Sequence, residues 1–402
     1  MENWKRQLYL SWIILFLQLA GTGMIMPFLP SMVKELGVTD PRDISVWSGI
    51  LFGVSFLFAA VFTPFWGSLG DRKGRKIIIL RATFGIAVTT LAVSAVTDIY
   101  QLLFLRILHG VFCGVVPSFI ALVSRNMPKD KTGEGLGVLQ TAMILGGLFG
   151  PLIGGIVSDV AGIRMVMVSI SVATFFAGLV TLFFIHEAKQ KPVKTSIIES
   201  VFSNIRFVID SKHILNIAFI QFLIQFAVFM AQPILPQFVE SISGKAKSDT
   251  LIGFVFAITG LATMVFAPFW GRLGDRTSHK RVLSISLLGT GLAFIPQAFV
   301  FGLYMLFPVR ILIGAFIAGV VPSTQALLVK QTAENKRGGV LGICQSFSLL
   351  GVALGPIVGG SIAAAFGIRV SFLVTAALVL VTWYYSRTFI KDTERSSAIT
   401  TE

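Results

Sequence analysis

The stretch Gly67-Ser68-Leu69-Gly70-Asp71-Arg72-Lys73-Gly74-Arg75-Lys76 decides how this chain is read. It returns in altered form as Gly271-Arg272-Leu273-Gly274-Asp275-Arg276-Thr277-Ser278-His279-Lys280. Each copy follows a Pro-Phe-Trp, Pro64 to Trp66 and Pro268 to Trp270, that closes a long apolar run, and each precedes another such run. Both read as tight basic turns between membrane spans. Glycines admit backbone turns that a Cβ resists, and they let neighbouring helices come close. The Lys and Arg residues assign the turns to the cytoplasmic face. Asp71 and Asp275 are the odd members, because an acid in a basic turn implies a dedicated partner such as a neighbouring Arg or a helix N-terminus.

Composition agrees with the membrane reading. The 402 residues are 54% hydrophobic and 13% charged, a balance that excludes a water-soluble domain. Continuous apolar runs, rather than short alternating segments, select helices over a barrel. The formal charge of +14 does not indicate nucleic acid, since the basic residues sit in short turns between runs. His109, His186, His213 and His279 are scattered without metal-ligand spacing, and no nucleophile motif or nucleotide-binding loop is present. The expectation is therefore neither an enzyme nor a metal or cofactor protein. Cys113 and Cys344 both fall inside apolar runs and read as free thiols with a packing role.

Twelve apolar runs follow one another, beginning with 8–33, which lacks a small-residue cleavage site and is too long for a signal sequence. Alternate loops carry most of the 33 Lys and Arg residues, which places both termini in the cytoplasm. The chain is also a duplication. Pro27-Phe-Leu-Pro30 recurs as Pro233-Ile-Leu-Pro236, Arg106-Ile-Leu as Arg310-Ile-Leu, Val115-Val-Pro-Ser118 as Val320-Val-Pro-Ser323, and Gly162-Ile-Arg164 as Gly367-Ile-Arg369, at separations of 204 to 206 residues. Six spans are repeated in parallel, and an even number per repeat keeps both halves in one orientation. The fold class is an all-α membrane protein of twelve transmembrane helices in two pseudo-symmetric six-helix bundles. The expected bundles are 1–185 and 213–402, joined by a cytoplasmic linker, 186–212. In the linker, Ile197, Ile198, Val201, Phe202, Ile205 and Val208 share one helical face, as in an amphipathic helix on a membrane surface.

Span five carries Gly137, Gly146, Gly150-Pro151 and Gly154-Gly155, and span eleven repeats the spacing as Gly342, Gly351, Gly355-Pro356 and Gly359-Gly360. Helical spacing gathers many of these glycines on one side, where a partner helix can approach, and the prolines bend the helix. With these motifs in place the chain resembles the major facilitator superfamily over nearly its full length. Gly67 to Lys76 is similar to that superfamily's signature between spans two and three; the second copy departs from it at Thr277-Ser278-His279. The Gly-Pro-x-x-Gly-Gly pattern, Leu102-x-x-x-Arg106-x-x-His109-Gly110 and Pro27-x-x-Pro30 resemble the twelve-span drug:proton antiporter branch.

The resemblance implies a central cavity lined by spans one, four, seven and ten. It implies that Arg106 couples proton binding to conformational change, and that Asp71, Arg72 and Arg75, with Gly67 and the second-copy Asp275 and Arg276, form a gate. Read from the residues, Arg106 lies about 9 Å into span four at a 1.5 Å rise, with His109 one turn deeper on the same face. A membrane-buried charge is functional by default. An imidazole beside a cation is a site whose protonation can depend on which side of the membrane reaches it. No Asp or Glu lies well inside a run, which departs from drug antiporters that carry a cavity carboxylate. Gln221, Gln225 and Gln232 share a face of span seven; with Gln18, Met24, Met26 and Arg310 they are the candidate substrate-cavity residues.

The resulting expectation is an alternating-access exporter of amphipathic drugs or toxic metabolites in exchange for protons. Its partners are small-molecule substrates, protons and the lipid bilayer, without nucleic acid, and it acts as a monomer in a bacterial inner membrane. The alternative is a carrier for one organic anion, by symport or facilitated exchange, with Arg106 and Arg310 as binding charges. Because the second basic turn lacks the Gly-Arg-Lys ending, Asp71→Asn is expected to impair transport more than Asp275→Asn. Equal transport rates at matched expression would reject that ranking.

Overall fold

The computed structural model describes residues 3–128, 131–187, 197–244, 248–332 and 337–390, and these are helical apart from short connections, with no strand among them. The first span is built from α1 (Asn3–Ile25), a 3-10 turn (Met26–Phe28) and α2 (Leu29–Glu35). It bends where Pro27 and Pro30 supply no backbone donor. Then follow α3 (Pro41–Lys73), α4 (Arg75–Ser94), α5 (Ile99–Phe112) with α6 (Val115–Asn126) as span four, α7 (Thr132–Ala161) and α8 (Ile163–Phe184). After α9 (Ile197–Asp210) the pattern repeats. Its members are α10 (Lys212–Met230) with α11 (Leu235–Ile242), α12 (Asp249–Arg276), α13 (His279–Gln297), α14 (Leu303–Ile317) with α15 (Val320–Gln331), α16 (Arg337–Phe366) and α17 (Ile368–Phe389). Among the described residues, 11 helical units are long and apolar enough to cross a membrane. The ninth place is taken by α13, whose 19 residues open on the polar His279-Lys280-Arg281.

The chain separates into two compact units, Met1–Thr195 with Lys245–Ala257, and Ser196–Gly244 with Ile258–Glu402. In the first, α1 lies along α7, α4 along α8 and α3 against α5. In the second, α10 lies along α16, and α13 packs on both α17 and α14. Helix α9 belongs to the second unit and packs on α10 and α16, with Val208 buried and Phe202 and Ile209 exposed. Part of the linker, 188–196, lies outside the described residues.

Two sequence expectations change. The stretch Gly67 to Lys76 is mostly helix: α3 continues to Lys73, and the chain reverses at one residue, Gly74, with φ of 102°. Its last turn carries Arg72 and Lys73, cations that suit the negative end of a helix dipole. The second copy likewise stays helical to Arg276, and α13 starts at His279. Nor do Gly67 and Gly271 serve close approach, because a Cβ at either would meet no atom within 4 Å.

Along the fifth and eleventh spans, close approach to the first and seventh belongs to three glycines in each half. Gly146, Gly150 and Gly154 press α7 against the backbone of α1 at Phe16, Ala20 and Met24. Gly351, Gly355 and Gly359 press α16 against Phe222, Phe226 and Met230 of α10 in the same way. Four-residue spacing makes each set a single smooth ridge. Lipid supplies no hydrophobic drive between helices, so such backbone-to-backbone packing holds them together. Gly137 and Gly342 are off the ridge and face open space, while Gly155 faces Asp249 and Thr250 at the start of α12.

These contacts predict a sharp split within one motif. Gly150→Ala and Gly355→Ala, which drive a methyl into a carbonyl, should lower the thermal midpoint of the purified protein by several degrees, a cost of about 1–3 kcal/mol for overpacking. Gly137→Ala and Gly342→Ala should leave it unchanged or raise it, since Ala in a helix is favoured over Gly by about 0.5–1 kcal/mol.

Candidate functional site

Span four starts at Asp98, whose carboxylate accepts from the amides of Tyr100 (2.7 Å) and Gln101 (3.4 Å) and so caps α5. The helix then carries Arg106 and His109 inward, where they are 2% and 4% exposed. Arg106 donates from Nε to the Leu51 carbonyl at 3.0 Å, and its Nη2 lies 3.8 Å from the Met26 sulfur. Ser55 Oγ donates to the Arg106 carbonyl at 2.7 Å, and Gly110 sits against the Ser55 carbonyl. The structure thus joins Arg106 and Met26, two of the residues singled out in the sequence. These hydrogen-bond partners of the cation are neutral. A charge held in hydrocarbon by a carbonyl and a thioether stays costly, and it favours an anionic or polarisable visitor.

Among the described residues, the buried basic side chains are Arg75, Arg106, His109, His279 and Arg310, and no carboxylate is buried. Of the two types, Arg keeps its proton, whereas imidazole exchanges one under physiological conditions. His109 is the one of these histidines that lies within a span other than at a helix start.

The remaining cavity candidates are less united than their spacing suggests. Gln18 of α1 is 4% exposed, and its Nε2 has no hydrogen-bond partner among the described residues. Met24 is also buried, but its backbone faces Gly154 of α7. In the second unit Gln221 Nε2 donates to Thr324 Oγ1 at 3.2 Å, leaving Oε1 without a hydrogen-bond partner among the described residues. Gln225 packs its Cβ against Gly351, and Gln232 lies beyond Met230, where α10 ends. The expected stripe of three glutamines is therefore interrupted, because helical spacing holds only as far as the helix does. Arg310 of α14 is 4% exposed.

At the basic turns, Arg72 and Arg276 are exposed and Arg75 is buried. The side chain of Asp71 lies outside the described residues. Asp275, exposed, lies 3.4 Å from the buried His279. Sequence reasoning missed Glu187, just past α8, whose oxygens accept from the amides of Arg75 (2.8 Å) and Lys76 (2.9 Å). A distant carboxylate thereby caps α4, a helix that starts at a glycine and lacks a cap of its own. Asp159 was missed too: it accepts from Ser248 Oγ (2.6 Å) and from the amides of Asp249 (2.8 Å) and Thr250 (2.9 Å), while Ser158 donates to Asp249. Neither acid has a local pattern that announces its partner.

The family model described as Major Facilitator Superfamily matches residues 11–244 and 217–401. Among curated relatives, the multidrug resistance protein MdtG of Enterobacter lignolyticus is 36% identical over 394 residues, covering 97% of this chain and 94% of that protein. The MdtG of Klebsiella pneumoniae is 37% identical over 387 residues, covering 96% and 93%. Among solved structures, the nucleoside transporter NupG matches with a TM-score of 0.81 at 16% identity, over 96% of this chain and 100% of that one. A bacterial homologue of the human lysosomal transporter Spinster matches with a TM-score of 0.79 at 15% identity, over 97% and 98%. At such identities the structures speak for the fold, two bundles of six transmembrane helices, while the sequence relatives and the family model speak for kinship. The chain belongs to the major facilitator superfamily.

Proposed function

We propose that this chain is a multidrug efflux transporter that exports amphipathic compounds in exchange for protons by alternating access. The observation that carries the reading is 36–37% identity, along almost the whole chain, to proteins named multidrug resistance protein MdtG. The membrane is the bacterial inner membrane, both termini are cytoplasmic, and one chain is the working unit. The moving bodies are the bundles 1–185 and 213–402, joined by 186–212.

In this reading His109 carries the exchanged proton, supported by its burial on span four and by the lack of any buried acid among the described residues. Arg106, one turn away, is the fixed charge against which that proton is traded. Gln18, Gln221, Met24, Met26 and Arg310 offer adaptable apolar surface with a few polar groups, which suits many substrates. Asp71, Arg72 and Arg75 gate the cytoplasmic end, with Glu187 holding the start of α4 in place.

The buried arginines favour a second reading, a carrier for one organic anion. Inside-out vesicles with an imposed acid-inside gradient separate the two. Cationic, neutral and anionic compounds are added in turn, with Asp71→Asn as the inactive control. Proton efflux triggered by several unrelated compounds and absent in the control is the expected result. Gradient-independent flux of a single anion without proton movement would replace the antiporter with the anion carrier. His109→Gln is expected to abolish substrate-triggered proton release while leaving the protein folded; unchanged release would remove His109 from the mechanism.

A further inference from the structure

Span four is not one helix. Cys113 is extended (φ −62°, ψ 176°) and Gly114 is left-handed (φ 100°, ψ 25°), so α5 and α6 meet at a break. Pro117 explains part of it, since it has no amide to offer the Cys113 carbonyl four residues earlier. Carbonyls left without helical donors in hydrocarbon cost several kcal/mol each unless something replaces the donor. Here the replacement is Arg81 of α4. Its Nη1 donates to the Val111 carbonyl at 3.1 Å, and its Nη2 donates to those of Phe112 (3.1 Å) and Cys113 (3.3 Å). The guanidinium lies 3.6 Å from the centre of the Trp66 ring, and Trp66 Nε1 donates to the same Val111 carbonyl at 2.8 Å. One planar cation thus serves three carbonyls while lying over an indole.

The second half supplies the control. Trp270 Nε1 donates to the Ala315 carbonyl as Trp66 does to Val111. Phe316 packs on Gly289 as Phe112 packs on Gly85, and Gly314 sits on the Thr259 carbonyl as Gly110 sits on that of Ser55. The position matching Arg81, 204 residues on, is Ile285. There the junction stays close to helical, with Ala318 at φ −55°, ψ −27° and Gly319 at φ −85°, ψ −14°. With Ile285 in place of Arg81, and with one residue more ahead of the Val-Val-Pro that follows Gly319, this junction has no true break.

We propose that Arg81 is a positioning residue that holds span four open at Cys113–Gly114 as a hinge, and so sets the placement of the segment bearing Arg106 and His109. The transport measurements below rest on the efflux reading, whereas the hinge is read separately through Cys113. Cys113 is one of two cysteines and is partly accessible at the break, whereas Cys344 is buried.

The test uses full-length protein carrying Cys344→Ser in proteoliposomes, with ethidium as the transported probe and N-ethylmaleimide as the thiol label. Arg81→Ile is expected to cut ethidium turnover about tenfold with less than about a twofold change in half-saturation, and to change the Cys113 labelling rate several-fold. Arg81→Lys, which keeps the charge but loses the planar fork, should recover roughly a third of the lost turnover. Gly114→Ala resists the left-handed conformation; it should lower Cys113 labelling and keeps the question open to measurement if Arg81→Ile fails to insert. Unchanged turnover and labelling in folded Arg81→Ile would overturn the proposal. So would equal losses in Arg81→Ile and Arg81→Lys accompanied by the same drop in thermal midpoint, the mark of a packing role alone. If the parent protein does not move ethidium, the multidrug reading suffers and the labelling rates decide the hinge by themselves.

Discussion

Hydrocarbon contains no water to hydrogen-bond a stray carbonyl, and that constraint governs where this chain bends. Where span four leaves the helix, donors are brought from elsewhere. At the span-four break the donors are a guanidinium and an indole, on the carbonyls of Val111, Phe112 and Cys113. The same rule operates at helix ends. Arg164, near the start of α8, donates to the Ser94 carbonyl that ends α4 (3.0 Å), and Arg369 of α17 does so to Ala298 at the end of α13 (2.7 Å). Arg164 also pairs with Glu35 at 2.7 Å, whereas Arg369 lies against the rings of Phe301 and Phe238. The repeated Gly-Ile-Arg therefore has one structural duty in both halves, which is to close the terminus of a neighbouring helix with a cation.

Packing within each unit follows from the same solvent. Helices surrounded by lipid gain little by burying leucines against one another, so attraction must come from contact at short range. The glycine ridges of α7 and α16 supply it by bringing backbones together along α1 and α10. Pro151 and Pro356 stand inside these ridged helices, where each removes one donor. Gly23 of α1 lies against the Pro151 ring, so even the helix irregularity is used as a packing surface. Rigid pairs of this kind are what a transporter needs if its bundles move as bodies rather than deform.

Much of this was legible in the sequence, because it depends on periodicity and repetition. Apolar runs, basic turns and the 204–206-residue offset reveal the spans and their duplication before any coordinates are considered. Arg106 and His109 stand out because a charge in an apolar run is conspicuous. What escaped were partnerships between residues far apart in the chain. Nothing near Glu187 tells that its carboxylate will cap α4, and nothing near Asp159 tells that it will cap α12. The glutamine spacing misled for a related reason. A face defined by helical period ends with the helix, and α10 ends at Met230, two residues before Gln232. Gly67 misled differently, since its motif invites a turn while the backbone continues as helix through Lys73.

A duplicated scaffold raises the question of where direction enters, since two identical halves would assign no distinct tasks. The answer must lie at aligned positions that differ. Around spans four and ten the shared set is large: Trp66 with Trp270, Gly85 with Gly289, Arg106 with Arg310, Gly110 with Gly314. Among the differences are Arg81 against Ile285, His109 against Ile313, and the junction itself, where one residue more precedes Gly319 than precedes its counterpart Gly114. These three bear on one feature. Gly114 permits the break, Arg81 satisfies the carbonyls it exposes, and His109 stands one turn before Cys113 on the segment that the break releases. A left-handed glycine without the guanidinium would strand carbonyls in lipid, and a guanidinium without the break would find those carbonyls already bonded within the helix. Each member makes physical sense only with the other, so the irregularity of span four is a built element that the second half does not share.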